Sequence, residues 1–144
     1  MIYKEEKRDL FSVDNDYCFV QCISADFGMG KGIAVEFNEH FDMKNQILKY
    51  YPSNIWDGKG YMRQVQGIPV LNLVTKEHYW DKPTYNTITE ALQKMKTYIK
   101  ECNIQKLAMP KIGCGLDKLE WSKVSDVIKN IFKDTNVEIL VCYI

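Results

Sequence analysis

At 144 residues the chain has the length of one domain, and its 19 basic residues balance 19 acidic ones. A net charge of zero excludes a protein that lives on a nucleic-acid backbone, because that task needs an excess of Lys and Arg to displace counterions; no intrinsic binding of duplex nucleic acid is expected. Recognition of a small anion stays open, since it needs only local donors. The five cysteines are odd in number and contain no C-x-x-C pair, and only two histidines, His40 and His78, accompany them. Neither a disulfide framework nor a zinc site fits, and no metal or cofactor is called for.

The opening segment Met1–Asp9 is too charged for a signal peptide, and no apolar run approaches the roughly 18 residues that span a membrane. A cytoplasmic monomer made of one domain over residues 1–144 is the expectation.

In chain order, Ile2–Phe11 reads as a partly exposed first strand, and Val13–Asp16 as a turn. Tyr17–Ser24 (YCFVQCIS) is a dense apolar run of strand length. Ala25–Gly30 is irregular, and Gly32–Phe41 and Met43–Tyr51 read as helices, the second ended by Pro52. Met62–Gln66 and Val70–Thr75 form two short strands around Gly67-Ile68-Pro69, a hairpin. Thr87-Ile88-Thr89-Glu90 has the spacing of a capping box ahead of a helix that runs to about Cys102. Lys106–Met109 is a short strand, Pro110–Leu119 a loop, Trp121–Phe132 a helix, and Val137–Tyr143 a buried closing strand. Strands alternating with helices imply an α/β sandwich, and the hairpin makes its six-stranded sheet mixed.

One feature occurs twice. YCFVQCIS is followed by Ala25-Asp26-Phe27-Gly28-Met29-Gly30-Lys31-Gly32 and a helix; KLAMP is followed by Lys111-Ile112-Gly113-Cys114-Gly115-Leu116-Asp117 and a helix. Glycines let a backbone approach a ligand closely, a helix start offers free amides, and ligands of α/β sheets sit beyond the carboxyl ends of strands. Two such loops on neighbouring strands suit the two sides of a diphosphate. Neither is a Walker sequence or a dinucleotide fingerprint, and each glycine taken alone serves a tight strand-to-helix turn equally well.

Taken as text, the stretches Arg8–Phe11, Cys22–Asp26, Met29–Val35, Val74–Lys76, Lys82–Tyr85 and Met109–Asp117 resemble macrodomains, in the same order along nearly the whole chain. The nearer resemblance is to the terminal ADP-ribose protein glycohydrolase branch, which includes the DarG antitoxin macrodomain. It implies a three-layer α/β/α macrodomain with ADP-ribose as ligand. Asp9 would contact the adenine amino group, joined by the backbone at Leu10, with Tyr143-Ile144 against the ring. Ser24 would lie near the ligand. Met29, Gly30, Gly32 and Ile33, with Lys111, Ile112, Gly113, Cys114, Gly115 and Leu116, would cradle the phosphates and distal ribose. The branch's catalytic pair maps to Lys76 and Asp117. Arg8 stands where many relatives have Gly, a departure beside the adenine and away from that pair.

The implied reaction removes ADP-ribose from a conjugate: a glutamate or aspartate ester, O-acyl-ADP-ribose, or ADP-ribosylated thymidine. Cleavage at C1 of the distal ribose develops oxocarbenium character, so a nearby carboxylate, Asp117, can stabilise charge and move protons. Glycosidases ordinarily use two carboxylates; a neutral Lys76 amine takes the second place as a covalent nucleophile. Without the resemblance, Lys76 is an ordinary lysine at a strand end, and Asp117 an N-cap at capping-box spacing from Glu120. A cysteine nucleophile at Cys114 lacks a placed histidine. Trp56, Tyr79 and Trp80 lie in loops and read either as aromatics that stack on substrate or, the favoured reading, as packing aromatics; His78 and Tyr79, close after Lys76, are candidates for the pocket rim, and His40 is a solvated residue on the polar side of its helix. A module that binds ADP-ribose without cleaving it, and a phosphatase on ADP-ribose 1''-phosphate, are the alternatives.

Overall fold

The computed structural model describes residues 1–115 and 118–144. Among them are six strands: β1 (Ile2–Lys7), β2 (Cys18–Ser24), β3 (Tyr61–Gln64), β4 (Val70–Lys76), β5 (Lys106–Met109) and β6 (Glu138–Tyr143). The α-helices are α1 (Ile33–Phe41), α2 (Met43–Tyr50), α3 (Tyr85–Glu101) and α4 (Trp121–Phe132). The sheet order is β1-β6-β5-β2-β4-β3. Every neighbouring pair is parallel except β3 with β4, which forms the antiparallel hairpin expected around Gly67. The sheet is therefore mixed, with its antiparallel strand at one edge.

Period-2 alternation sorts the strand residues to two faces. Val20, Leu71, Leu73, Leu107, Met109, Ile139 and Val141 pack with α3 and α4, where Leu92, Met95, Ile128 and Phe132 are fully buried. Phe19, Ile23, Val74, Ala108 and Leu140 pack with α1 and α2 around Phe37, Met43 and Ile47. The result is an α/β/α sandwich with a core on each side of the sheet. Each large side chain so buried stabilises the fold by roughly 1.5–3 kcal/mol before entropy is charged against it.

Two local readings need correction. The first strand stops at Lys7 rather than Phe11, because Asp9 caps a short 3-10 turn at Leu10–Ser12 by accepting the Phe11 amide at 2.9 Å. The capping box of α3 is also three residues earlier than the sequence suggests. Thr84 Oγ1 accepts the Thr87 amide and Thr87 Oγ1 accepts the Thr84 amide, both at 3.0 Å. Glu90 serves a distant partner instead, accepting the Gly60 amide at 3.1 Å.

Candidate functional site

Because β1, β6, β5, β2 and β4 are mutually parallel, their carboxyl ends emerge at one pole. Four loops and the residue after β6 follow there in that order, across four inter-strand gaps, or about 19 Å at the usual spacing. Such an edge is where open α/β sheets bind ligands. It gathers Asp9 and Leu10 after β1, Ile144 after β6, Lys111–Gly115 after β5, the glycine loop after β2, and Lys76 at the end of β4. Leu116 and Asp117 lie outside the described residues.

At the β1 end, the Arg8 amide donates to Tyr143 O at 2.8 Å, joining the exits of β1 and β6. The Arg8 guanidinium turns back onto its own segment, with Nε 3.1 Å from Ser12 Oγ and Nη2 3.0 Å from Ser12 O. Asp9 is exposed while Leu10 is buried. Lys111 Nζ sits 4.4 Å from the centre of the Tyr143 ring, a cation–π contact between the exits of β5 and β6. Ile144 is 94% exposed.

The loop after β5 turns at Gly113, whose φ of 75° is left-handed. A side chain there would also meet Ile88 Cδ1 at 2.6 Å. Ile112 and Gly113 are buried and Gly115 is exposed, so the loop is anchored at its root and bare further along. Cys114 Sγ lies 3.4 Å from Ile112 O. Glu120 stands at the N-cap position of α4 without a side-chain cap hydrogen bond, and the capping role considered for Asp117 lies outside the described residues.

The loop after β2 is organised by its backbone and by one carboxylate. Its chain reverses at Phe27, which is buried with a left-handed φ of 57°, and enters α1 through Gly32, at φ 63° and ψ −150°. That last conformation is essentially reserved for glycine. Met29 is buried beneath the loop, Gly30 and Gly32 are exposed, and Ile33 is half-buried.

Asp26 fixes this loop to the next one. Its carboxylate accepts the Ser24 hydroxyl, the Gly28 amide at 3.0 Å and the Tyr79 amide at 3.0 Å. Burial opposes its ionisation, but those three hydrogen bonds and nearby His78 outweigh burial and hold the carboxyl below its ordinary value. Ser24 is buried, with its hydroxyl committed to Asp26. Sequence reasoning did not single out Asp26: its partner Tyr79 is 53 residues away, and no local spacing announces it.

Lys76 is half-buried at the end of β4. The ladder between β2 and β4 shifts register there, with Ile23 opposite Val74 and Ser24 opposite Lys76, leaving Thr75 as the extra residue. Such bulges re-aim side chains at sheet ends. The Ala25 amide donates to Lys76 O at 2.9 Å, so Lys76 is tied directly to the root of the glycine loop. Beyond it, Asp81 Oδ2 takes hydrogen bonds from the His78 amide at 3.0 Å and pairs with His78 Nδ1 at 2.9 Å. Glu77, His78 and Asp81 bring possible ligand atoms within 4.8 Å of one another, but Asp81 is already spent bracing the loop.

The aromatic residues divide. Trp56 packs half-buried near Tyr61, with ring centres 6.3 Å apart. Tyr79 and Trp80 instead stand 57% and 65% exposed, against the packing expected of them. His40 is exposed, yet its ring stacks on Phe11 at 4.1 Å. An open groove of about 780 Å³ lies at the opposite pole, between Tyr17, Pro69 and Lys106. It is remote from every residue singled out above, at the amino ends of the strands, where the rule for α/β sheets places no ligand.

An α/β/α sandwich with two glycine loops on adjacent parallel strands, and a lysine beside one of them, defines a ligand-binding domain of the macrodomain class. The chain belongs to the Macro domain family, whose sequence profile matches residues 24–128. It is 36% identical over 135 residues to the ADP-ribose glycohydrolase OARD1 of Bos taurus, covering 94% of this chain and 87% of that protein. Its fold is similar to the macrodomain of Thermus aquaticus DarG, with a TM-score of 0.80 and 19% identity over 99% of this chain and 98% of that one. It is also similar to Thermosipho africanus DarTG, solved in complex with ADP-ribose, with a TM-score of 0.69 and 21% identity over 94% of this chain and 39% of that one.

Proposed function

We propose that the chain is a hydrolase that frees ADP-ribose from a conjugate, with Lys76 as nucleophile and Asp117 as acid and base. The observation that carries this reading is the place of Lys76: its carbonyl holds the Ala25 amide, which roots the glycine loop, at the carboxyl edge of the sheet. The 36% identity to a protein named ADP-ribose glycohydrolase supports the same class of reaction.

In this reading adenine lies over the exits of β1 and β6, with Asp9 and the Leu10 backbone at its edge and Tyr143-Ile144 against its face. The diphosphate lies between Met29–Ile33 and Lys111–Leu116, where the exposed Gly30, Gly32 and Gly115 present backbone rather than side chains and the buried Gly113 turns the loop. Ser24 acts through Asp26, holding the loop that touches the ligand. The distal ribose then reaches β4.

The Nζ lone pair of Lys76 attacks C1 of that ribose; the bond from C1 to the conjugate breaks, C1–O in an ester and C1–N where a nucleobase is joined through a ring nitrogen, and a bond from C1 to Nζ forms. Asp117 protonates the departing oxygen or base, then takes a proton from the incoming water. Water attack at C1 breaks the bond from C1 to Lys76 Nζ and returns the amine. A glutamate or aspartate ester, O-acyl-ADP-ribose and ADP-ribosylated thymidine are the candidate conjugates.

The test is isothermal titration of ADP-ribose into wild type, Lys76→Ala and Asp117→Ala, with mass spectrometry of each conjugate after incubation. All three proteins should bind, and only wild type should release the modification. Full turnover by both variants would remove the assignment. Binding by wild type with every conjugate intact would leave a module that reads ADP-ribose.

A further inference from the structure

The loop after β4 carries a group of rings that the chemistry above does not use. Trp80 is 65% exposed and Tyr79 57% exposed, in a chain whose other tryptophans, Trp56 and Trp121, are half-buried. They are held rather than trailing in solvent. The His78 ring stacks on the Trp80 indole at 4.4 Å with only 2° between planes, and Asp81 fixes that imidazole through Nδ1 at 2.9 Å. Tyr79 meets the indole edge-on at 4.9 Å and 86°.

The group also adjoins the crevice. The Tyr79 amide is on Asp26 at 3.0 Å, and a Cβ placed on Gly28 would lie 3.2 Å from Tyr79 Cβ and 3.5 Å from its Cδ1. Tyr79 thus packs on the root of the glycine loop, and Trp80 extends that wall outward, three and four residues beyond Lys76. In the sheet order, β4 is the far end of the parallel run from β1.

We infer that Tyr79 and Trp80 form a wall that stacks on a planar ring attached to C1 of the distal ribose, making them the residues that select ring-bearing conjugates. This rests on the hydrolase reading, which sets adenine at the β1 end and C1 at the β4 end. A group leaving from C1 then departs along the β4 loop. An indole backed on one face by a fixed imidazole offers the other face already oriented, and aromatic stacking accepts any nucleobase because each has a π-face. An aliphatic ester has no such face to offer.

The experiment measures dissociation constants in the Lys76→Ala background, so that the conjugates survive. The probes are free ADP-ribose, an ADP-ribosylated glutamate peptide, and nucleobase-linked ADP-ribose as a nucleoside and within a short single-stranded oligonucleotide. The ring should tighten binding over free ADP-ribose by about tenfold. Trp80→Ala should abolish that gain and leave free ADP-ribose and the peptide within about twofold; Trp80→Phe should restore most of it. The two nucleobase probes tell whether the ring arrives alone or in a strand, and loss of the gain on either supports the wall. Ring-linked probes that bind no tighter than free ADP-ribose, or equal weakening of all probes by Trp80→Ala, would overturn it while the hydrolase reading stands. Failure to bind free ADP-ribose at all would remove both.

Discussion

The backbone amide of Tyr79 donates to the carboxylate of Asp26 at 3.0 Å, joining the loop that leaves β2 to the loop that leaves β4. The same carboxylate takes the Gly28 amide and the Ser24 hydroxyl, so one side chain sets the geometry of both loops. Asp26→Asn keeps the size but presents an amide nitrogen to one of these donors. A lost hydrogen bond to a charged group costs about 1–3 kcal/mol, or about 3–9 °C in Tm for a domain of this size. Binding of ADP-ribose should weaken alongside. Thermal unfolding of the variant within 1 °C of wild type would mean the loops are held by something else.

The same residue gives a pH dependence with a definite sign. Its folded-state pKa is lowered from 3.8, so its contribution is complete above the unfolded value and vanishes as pH falls through the folded one. The Tm gap between wild type and Asp26→Asn should therefore be constant from about pH 5 to 7 and close below about pH 4. A gap that widened toward low pH would reverse the assignment.

Much of the fold was legible. β5 and α4 fall on the residues expected, because the run Lys106–Met109 is too short for a helix and the stripe Val124, Val127/Ile128 and Ile131 has helical spacing. What failed was what tertiary structure decides. Thr87–Glu90 has the sequence of a capping box, but Glu90 is drawn to Gly60, thirty residues away, and the box closes at Thr84. Asp26 likewise looks like a loop aspartate until Tyr79 is brought to it. Tyr79 and Trp80 read as packing or stacking aromatics of a loop, and only the folded loop shows them turned to solvent. The Macro domain resemblance lay in contiguous strings, which a sequence displays directly.

Thr84→Ala tests the cap itself. It removes the acceptor of the Thr87 amide, bonded at 3.0 Å, and leaves that donor at the start of α3 without its cap. Loss of a threonine cap costs about 1 kcal/mol. Urea unfolding should show a lower midpoint with an unchanged slope, whereas Thr89→Ala, whose hydroxyl bonds back to Tyr85 O inside the helix, should cost less. Equal losses from the two would mean that the cap adds nothing beyond an ordinary helix hydroxyl.

Gly60→Ala should be among the most damaging single changes. An added Cβ would stand 1.9 Å from Thr87 O and 3.0 Å from Ala91 N, both backbone atoms of α3. Neither can rotate away, so α3 or β3 must move, at a cost of about 3 kcal/mol or more. Circular dichroism on purified protein, or its absence from the soluble fraction, reads the result. A variant as stable as wild type would contradict the close packing of β3's entry on α3.

Gly30 is the opposite case and separates ligand contact from folding. It is exposed, and an added Cβ would meet nothing within 4 Å. Gly30→Ala should therefore leave Tm within about 1–2 °C of wild type, as surface substitutions do. If the glycine loop approaches the diphosphate through bare backbone, the same methyl group occupies the space of the phosphate oxygens, and the Kd for ADP-ribose should rise at least about tenfold. Only an external ligand can make a substitution costly at a position with no internal neighbour. Titration of ADP-ribose into this variant thus reads the contact without interference from stability, and an unchanged Kd would move the diphosphate off this stretch of the loop.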